Sequence, residues 1–463
     1  MAAEKLGKHI LVNAFTMACV GHINHGQWTH LRDRSMDFNS LKYWTDLAKT
    51  LERGLFDAVF LADILGVYDV YGAGVEVTTR EAVQFPVNDP LVLVSAMAAV
   101  TRHLGFGVTV NVNHEAPYTF ARRISTLDHL TRGRIGWNIV TGYLDSAARA
   151  VGRKAQAGHD QRYDQADDYL EGLYKLWEGS WDDDAVIADK VARLYADPAK
   201  VRPVRHDGPF YQFEGYHLSQ PSRQRTPVLF QAGTSGRGQL FAARHAECVF
   251  ISAPDKAAAR SAARAIRRAV ADAGRDPSDV RILAGIAVIA DRSEAAAREK
   301  LAEYRAASSP EAGLAHYSAS LGIDFARYGL DDPIPFGQSN AIQSAAKIAE
   351  SRGYTKRVLL DQLALGGRYP LAVGTPVQVA DALESWIREG EIDGFNLTRI
   401  VTPESYTDFA DLVVPELQTR GSYKTGYGEG SLRHRIFGKG DRLPVTHTAQ
   451  GFRPAAPLLG AAE

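Results

Sequence analysis

Residues 133–152, GRIGWNIVTGYLDSAARAVG, begin as a buried strand and end as a surface helix or loop. The run 135–140 is apolar except for Asn138, and it releases into Thr141, Gly142, Tyr143 and Asp145. Near-continuous apolar character belongs to strands of a parallel sheet, which helices cover on both faces. Polar groups at the C-terminal end of such a strand stand where α/β barrels build their sites. Asn138 has two readings: it satisfies a neighbouring backbone group, or it is a functional group at the edge of a core.

Outward from this strand, short β-rich apolar runs recur at 10–15, 58–61, 105–111, 228–232, 249–252, 281–289 and 395–400. Helical patterns lie between them at 40–53, 90–101, 118–131, 163–177, 239–245, 256–273, 294–304 and 377–388. Eight strands alternating with eight helices predict an α/β chain folded as a (β/α)8 TIM barrel. A minimal barrel takes about 250 residues, whereas the chain has 463. The surplus falls into insertions at about 178–225 and 306–374. The first carries GPFYQFEGYHLS (208–219), which reads as a strand or hairpin. The second is too long for a structureless loop and is expected to hold helices and cover the site. A single barrel domain at 1–438 is expected, followed by a Gly- and Pro-rich tail at 439–463 that runs over the surface or against a partner subunit.

Formal net charge is -1, which gives no electrostatic case for nucleic acid or an anionic membrane. The two cysteines, Cys19 and Cys248, make no CxxC pair and no disulfide framework, as suits a reducing compartment. The start, MAAEKLGKHILVNAF, has too short an apolar run for a signal peptide. No stretch approaches the roughly 20 apolar residues of a membrane span. A soluble cytoplasmic protein is expected.

Other strand ends should reach the same mouth. Asp63 follows the second strand in VFLADIL, and Thr109 and Asn111 lie within the third. After the fifth comes QAGTSGRGQLF, a Gly-rich turn opening a helix. Thr234, Ser235 and the backbone N–H groups there form an anion site by geometry, or a tight turn with a capping serine. It is no P-loop, and Arg237 breaks the GxSxG of a nucleophile elbow. His159 and Tyr163 are four apart and share a helix face near its N-terminus, where anions are favoured. The nearby Asp160, Asp164, Asp167 and Asp168 read as a solvated acidic first turn rather than a metal site. The first loop, TMACVGHINHGQWTH, gathers His22, His25 and His30, but no carboxylate or cysteine completes a zinc set. No metal is expected.

Taken together, LERGLFDAVFLAD, MAAVTRHLGFGVTV, APYTFARRISTLDHLTRGRIGWNIVTGYLDSAARAVG, HDQRYDQADDYLEGLYKLW, PVLFQAGTSGRG and VVPELQTRG resemble the bacterial-luciferase-type flavin monooxygenases. The similar branch holds the nitrilotriacetate, dibenzothiophene-sulfone and dimethyl sulfide monooxygenases. The resemblance runs to about Gly438. It implies that Asp63, Thr109, His159, Tyr163 and Ser235 touch FMN, with Thr234 a neighbour and Asn138 beside the flavin ring. It places the FMN phosphate at Thr234–Ser235 with the Tyr163 hydroxyl. Reduced FMN, dioxygen and a small-molecule substrate are implied as reactants, and a homodimer or homotetramer as the assembly. No GxGxxG follows a strand, so the reduced flavin is expected from a separate NAD(P)H:FMN reductase. His25 and His316 are the candidates for contact with the peroxide or the substrate, His316 lying in the second insertion.

The mouth loops hold His22, His25, Trp28, Tyr68 and Phe85 but few converging cations, whereas a polyanion would call for several Arg or Lys. Arg122 and Arg123 are expected to pair with acids such as Asp128 or face solvent. The expected reaction is oxygenation of a small sulfide or sulfone with carbon–sulfur cleavage. Alternatives are an aminopolycarboxylate or other xenobiotic substrate, a deazaflavin-dependent dehydrogenase, a flavin-independent barrel hydrolase using Asp63 and Glu115, and a non-catalytic flavin-binding protein.

Overall fold

The computed structural model describes residues 6–233, 235–335 and 353–454. Eight strands form the barrel: β1 (Leu11–Met17), β2 (Ala58–Ala62), β3 (Gly105–Asn111), β4 (Ile135–Val140), β5 (Val228–Gln231), β6 (Cys248–Ile251), β7 (Arg281–Ala290) and β8 (Gly394–Thr398). Each pairs in parallel with its sequence neighbours, and β8 closes on β1 with Leu11 opposite Gly394. Every C-terminal strand end therefore faces the same mouth. The outer ring includes Leu41–Arg53, Pro90–Ala99, Pro117–Leu130, His159–Tyr174, Gly236–His245, Lys256–Asp272, Glu294–Ala306 and Pro376–Gly390. Their starts follow from local chemistry: Asp89 caps with Pro90 behind it, and Thr375 and Gln378 form a capping box.

Trp137 explains half of the opening strand. It is buried, donates from Nε1 to Val110 O at 3.0 Å, and packs against Phe120, Tyr169 and Trp177 of the covering helices. Its neighbour Asn138 points to the other face of the strand, into the barrel.

The first insertion holds two antiparallel pairs, Val186–Asp189 with Leu194–Ala196 and Val204–Asp207 with Gln212–Gly215. The stretch 208–219 supplies the turn and second strand of the latter hairpin, whose first strand begins four residues earlier. Asp168 pins that hairpin. Its carboxylate accepts from the backbone N–H groups of Phe210 (2.9 Å) and Tyr211 (2.8 Å) and lies 3.0 Å from His206 Nε2. With 6% exposure, Asp168 is not part of a solvated acidic turn: buried amides need an acceptor, and this carboxylate supplies it.

The second insertion holds the helices Pro310–Leu321 and Lys356–Leu363 and the strand Leu371–Gly374, which extends the sheet beside the end of β7. Its residues 336–352 lie outside the described residues. At the opposite end of the barrel, the helix Leu432–Phe437 places Leu432 and Ile436 against Phe60, Phe230 and Phe250. The described part of the tail lies against the barrel, with His447 Nε2 3.0 Å from His245 O; residues 455–463 lie outside the described residues. Among the described residues, no helix is long and apolar enough to cross a membrane.

Candidate active site

The mouth holds a cavity of about 250 Å³, and Asp63, Thr109, His159, Tyr163 and Ser235 all line it. Asp63 and Thr109 come from the ends of β2 and β3, Ser235 from the turn after β5, and His159 and Tyr163 from the start of one helix, brought together by barrel closure. Asn138 is not on the wall. It sits opposite Thr109 in the β3–β4 register and donates from Nδ2 to Thr109 Oγ1 at 2.9 Å, so it orients a wall residue. Its Oδ1 is buried without a partner among the described residues. Thr234 lies outside the described residues.

Ser235 caps the helix Gly236–His245, accepting from Gly238 N at 3.0 Å. The capping and anion-site readings thus describe one oxygen. The Tyr163 hydroxyl lies within hydrogen-bonding reach of the Ser235 and Gln231 side chains. Burial pushes this phenol upward, against the pull of those bonds and of Arg162 and Arg237, so it is a neutral donor near pH 7. A Cβ on Gly233 would stand 2.1 Å from Gln231 Nε2 and 2.8 Å from the Tyr163 hydroxyl. The glycine leaves room for a polar cradle at a helix N-terminus, a natural seat for phosphate. His159 packs edge-on to Tyr163 with centroids 5.3 Å apart and meets Asp160 through Nδ1 at 2.7 Å.

Asp63 is the acid of the mouth. Burial, and then the charge of Asp89, hold its carboxyl at about 7, while the Ile64 N–H opposes the shift. It is thus poised between donor and acceptor near neutral pH.

His25 and His316 do not line this cavity. They meet each other, Nε2 to Nδ1 at 3.2 Å, both buried, at a void of about 10 Å³, room for a water at most. Tyr68 links the two places: its ring stacks on His316 with centroids 4.9 Å apart, and its hydroxyl lies 3.3 Å from that of Tyr143, which lines the cavity. His30 turns instead to Glu303, its Nε2 3.7 Å from the carboxylate, and packs edge-on to Tyr304. Among the described residues, no three His, Cys, Asp or Glu side chains group as metal ligands.

Sequence reasoning missed Gln231, Arg162 and Arg368, and gave Tyr143 a place at the end of the strand but no role. Gln231 had a signal close to that of Asn138, a polar residue in an otherwise apolar strand; its buried Oε1 has no partner among the described residues. Glu115, the second carboxylate of the hydrolase alternative, lines a different groove and pairs with Arg123 at 3.2 Å. Asp128, named as an acid for those arginines, is buried instead under Gln224.

The luciferase-like monooxygenase model matches residues 15–393. The chain belongs to this family. Within the family it is 46% identical to dimethyl-sulfide monooxygenase of Hyphomicrobium sulfonivorans over 453 residues, covering 97% of this chain and 94% of that protein. It is 47% identical to long-chain alkane monooxygenase of Geobacillus thermodenitrificans (strain NG80-2) over 448 residues, covering 96% and 98%. The crystal structure of a riboflavin lyase with modified FMN and riboflavin superposes with a TM-score of 0.92 at 36% identity, covering 97% of this chain and 100% of that one. The luciferase-like barrel is thus shared along nearly the whole chain.

Proposed function

We propose that this luciferase-like monooxygenase binds reduced FMN at the mouth cavity, receives it from a separate NAD(P)H:FMN reductase, and oxygenates a small neutral organosulfur compound with carbon–sulfur cleavage. The observation that carries the reading is one cavity that joins a phosphate cradle (Ser235, Tyr163, Gly233) to an acid (Asp63) and an apolar wall. The chemistry supplied by bound reduced FMN is two-electron activation of dioxygen, one oxygen atom going to substrate and the other leaving as water.

The chain's own residues do the rest. Ser235, Thr234 and Tyr163 hold the phosphate, and His159 flanks it. Thr109, oriented by Asn138, and the poised carboxyl of Asp63 bond to the ring system. Ile64, Leu65, Ile139 and Leu144 keep water away from the reacting oxygen. His25, backed by His316 and standing behind Tyr68 and Tyr143, donates to the oxygen or the substrate.

Arg162 is the one Arg or Lys among the described residues of the cavity wall, which supports a neutral substrate over a polycarboxylate. The apolar wall equally suits a hydrocarbon, and the 47% identity to the alkane enzyme favours this as the second reading. The deciding experiment supplies chemically reduced FMN and air with dimethyl sulfide, dibenzothiophene sulfone, hexadecane or nitrilotriacetate. Product above the peroxide-only background is expected from a sulfide or sulfone. Turnover of hexadecane alone moves the assignment to alkanes. Turnover of nitrilotriacetate alone removes the sulfur reading and leaves the flavin reading standing.

A further inference from the structure

The distance between His25 and His316 does not say which nitrogens carry the protons. Arg368 does. Its Nη2 lies 3.3 Å from His316 Nε2 and 3.2 Å from Ser320 Oγ. A guanidinium offers donors and no acceptor, so His316 Nε2 must face it as a lone pair. A neutral His316 then carries its proton on Nδ1 and donates to His25 Nε2, which leaves the His25 proton on Nδ1. Ser320 agrees with this order: its hydroxyl donates to His316 O at 3.0 Å, so its lone pairs face the arginine. The reverse order would set an Nε2–H of His316 against the N–H of Arg368.

We propose that Arg368 is a positioning residue that locks His316 and His25 in their Nδ1–H tautomers and so leaves His25 with a buried N–H donor for the reacting oxygen or the substrate. This rests on the catalytic reading of the two histidines given above. His25 Nδ1 is buried without a partner among the described residues. Beside it stands Gly21, whose absent Cβ would lie 3.3 Å away. A buried N–H left without an acceptor is costly and uncommon in a resting protein, which points to an acceptor that arrives with a ligand.

Protonation does not compete with this device. Burial, then the charges of Arg368 and Arg399, pull His25 down to about 3. Burial, then Arg368, His25 and His22, hold His316 well below its usual range. Tyr68, stacked on His316, is itself kept neutral by burial and by Tyr143. The arginine therefore controls where the protons sit on two neutral rings. Its own place is fixed by a double-glycine turn. Gly366 and Gly367 have φ of 84° and 63°, Gly366 N donates to Asn24 Oδ1 at 2.7 Å, and a Cβ on Gly367 would stand 2.6 Å from Ile23 Cγ2.

The test uses the full chain without flavin, labelled with ¹⁵N-histidine. Ring ¹⁵N shifts report the tautomer, and His25→Gln and His316→Gln assign the two signals. Both residues are expected in the Nδ1–H form, unchanged between about pH 6 and pH 8. In Arg368→Met, His316 is expected to shift toward Nε2–H, and in Arg368→Lys, which keeps a donor without an acceptor, to return to Nδ1–H. Thermal melts verify that each variant is folded. An Nε2–H form of His316 in the wild-type protein, or unaltered tautomers in a folded Arg368→Met, overturns the proposal. Should Arg368→Met fail to fold, the wild-type and Arg368→Lys spectra decide. Because no flavin is present, this outcome is independent of whether FMN binds the mouth cavity.

Discussion

Ser235 closes a helix and, in the proposed function, opens a binding site. Its Oγ accepts from Gly238 N while its other side meets the Tyr163 hydroxyl. Hydrogen bonds to charged groups contribute roughly 1.5–3 kcal/mol, so Ser235→Ala is expected to weaken FMN binding by about tenfold or more in a fluorescence titration. Loss of the cap costs about 1 kcal/mol of stability. Riboflavin, without the phosphate, should bind the variant almost as well as the wild type, and an equal loss for both ligands would move the phosphate elsewhere. Asp63 makes a pH-dependent prediction. Its carboxyl sits at about 7 in the fold against about 3.9 in an unfolded chain. The folded state therefore holds more protons between those values, and the stability contributed by the neutral acid is lost as pH rises through about 7. Asp63→Asn cannot lose it. In thermal melts of the flavin-free protein, the variant should gain on the wild type as pH rises from about 4 to about 7 and hold a constant lead above that. A difference that does not change with pH would mean the carboxyl titrates normally.

At the scale of elements, the two ends of the barrel divide the labour expected of this fold, chemistry at the C-terminal face and stability at the other. The helix Leu432–Phe437 shuts the far end. Arg433 donates to both oxygens of Glu247, at 2.6 and 2.9 Å, and to the carbonyls of Thr226 and Pro227. Glu247 in turn accepts from Leu229 N at the start of β5. Both side chains are buried, so Arg433→Ala strands a carboxylate in the interior. Breaking such a pair costs about 3–5 kcal/mol, and denaturant unfolding should read a loss of that size. Flavin affinity of the still-folded fraction should stay near wild type, because the helix sits at the end away from the cavity. A loss well under that range would mean water reaches Glu247.

For the whole molecule, closure of the barrel brings together Asp63, Thr109, Tyr163 and Ser235, which span over a third of the sequence. The second insertion adds Pro310–Leu321 and the Gly366–Gly367 turn, carrying His316 and Arg368 to the first loop. The proposed chemistry needs no metal. Prolonged chelation followed by assay with supplied reduced FMN should leave product formation unchanged. Activity lost on chelation and regained on adding zinc would defeat the proposal.

Determined by sequence alone were the barrel and the direction of its strands, because the alternation of apolar runs with amphipathic helices is local and repeats eight times. Asn138 and Asp63 were legible for related reasons: a polar residue inside a buried apolar run, or directly after one, must answer to something near the mouth. Local pattern does not carry depth or partners. Asp160 and Asp168 look alike in the sequence, yet one is exposed and the other caps a hairpin some forty residues away. His25 and His316 were singled out separately, and only folding brings them within 3.2 Å of each other. Arg368 had no signal, since its meaning lies in the imidazole it faces, and Asn138 bonds to Thr109 from behind rather than lining the cavity. These are contacts between residues 29 to 291 positions apart, set by barrel closure and by the packing of the insertions, and no local pattern contains them.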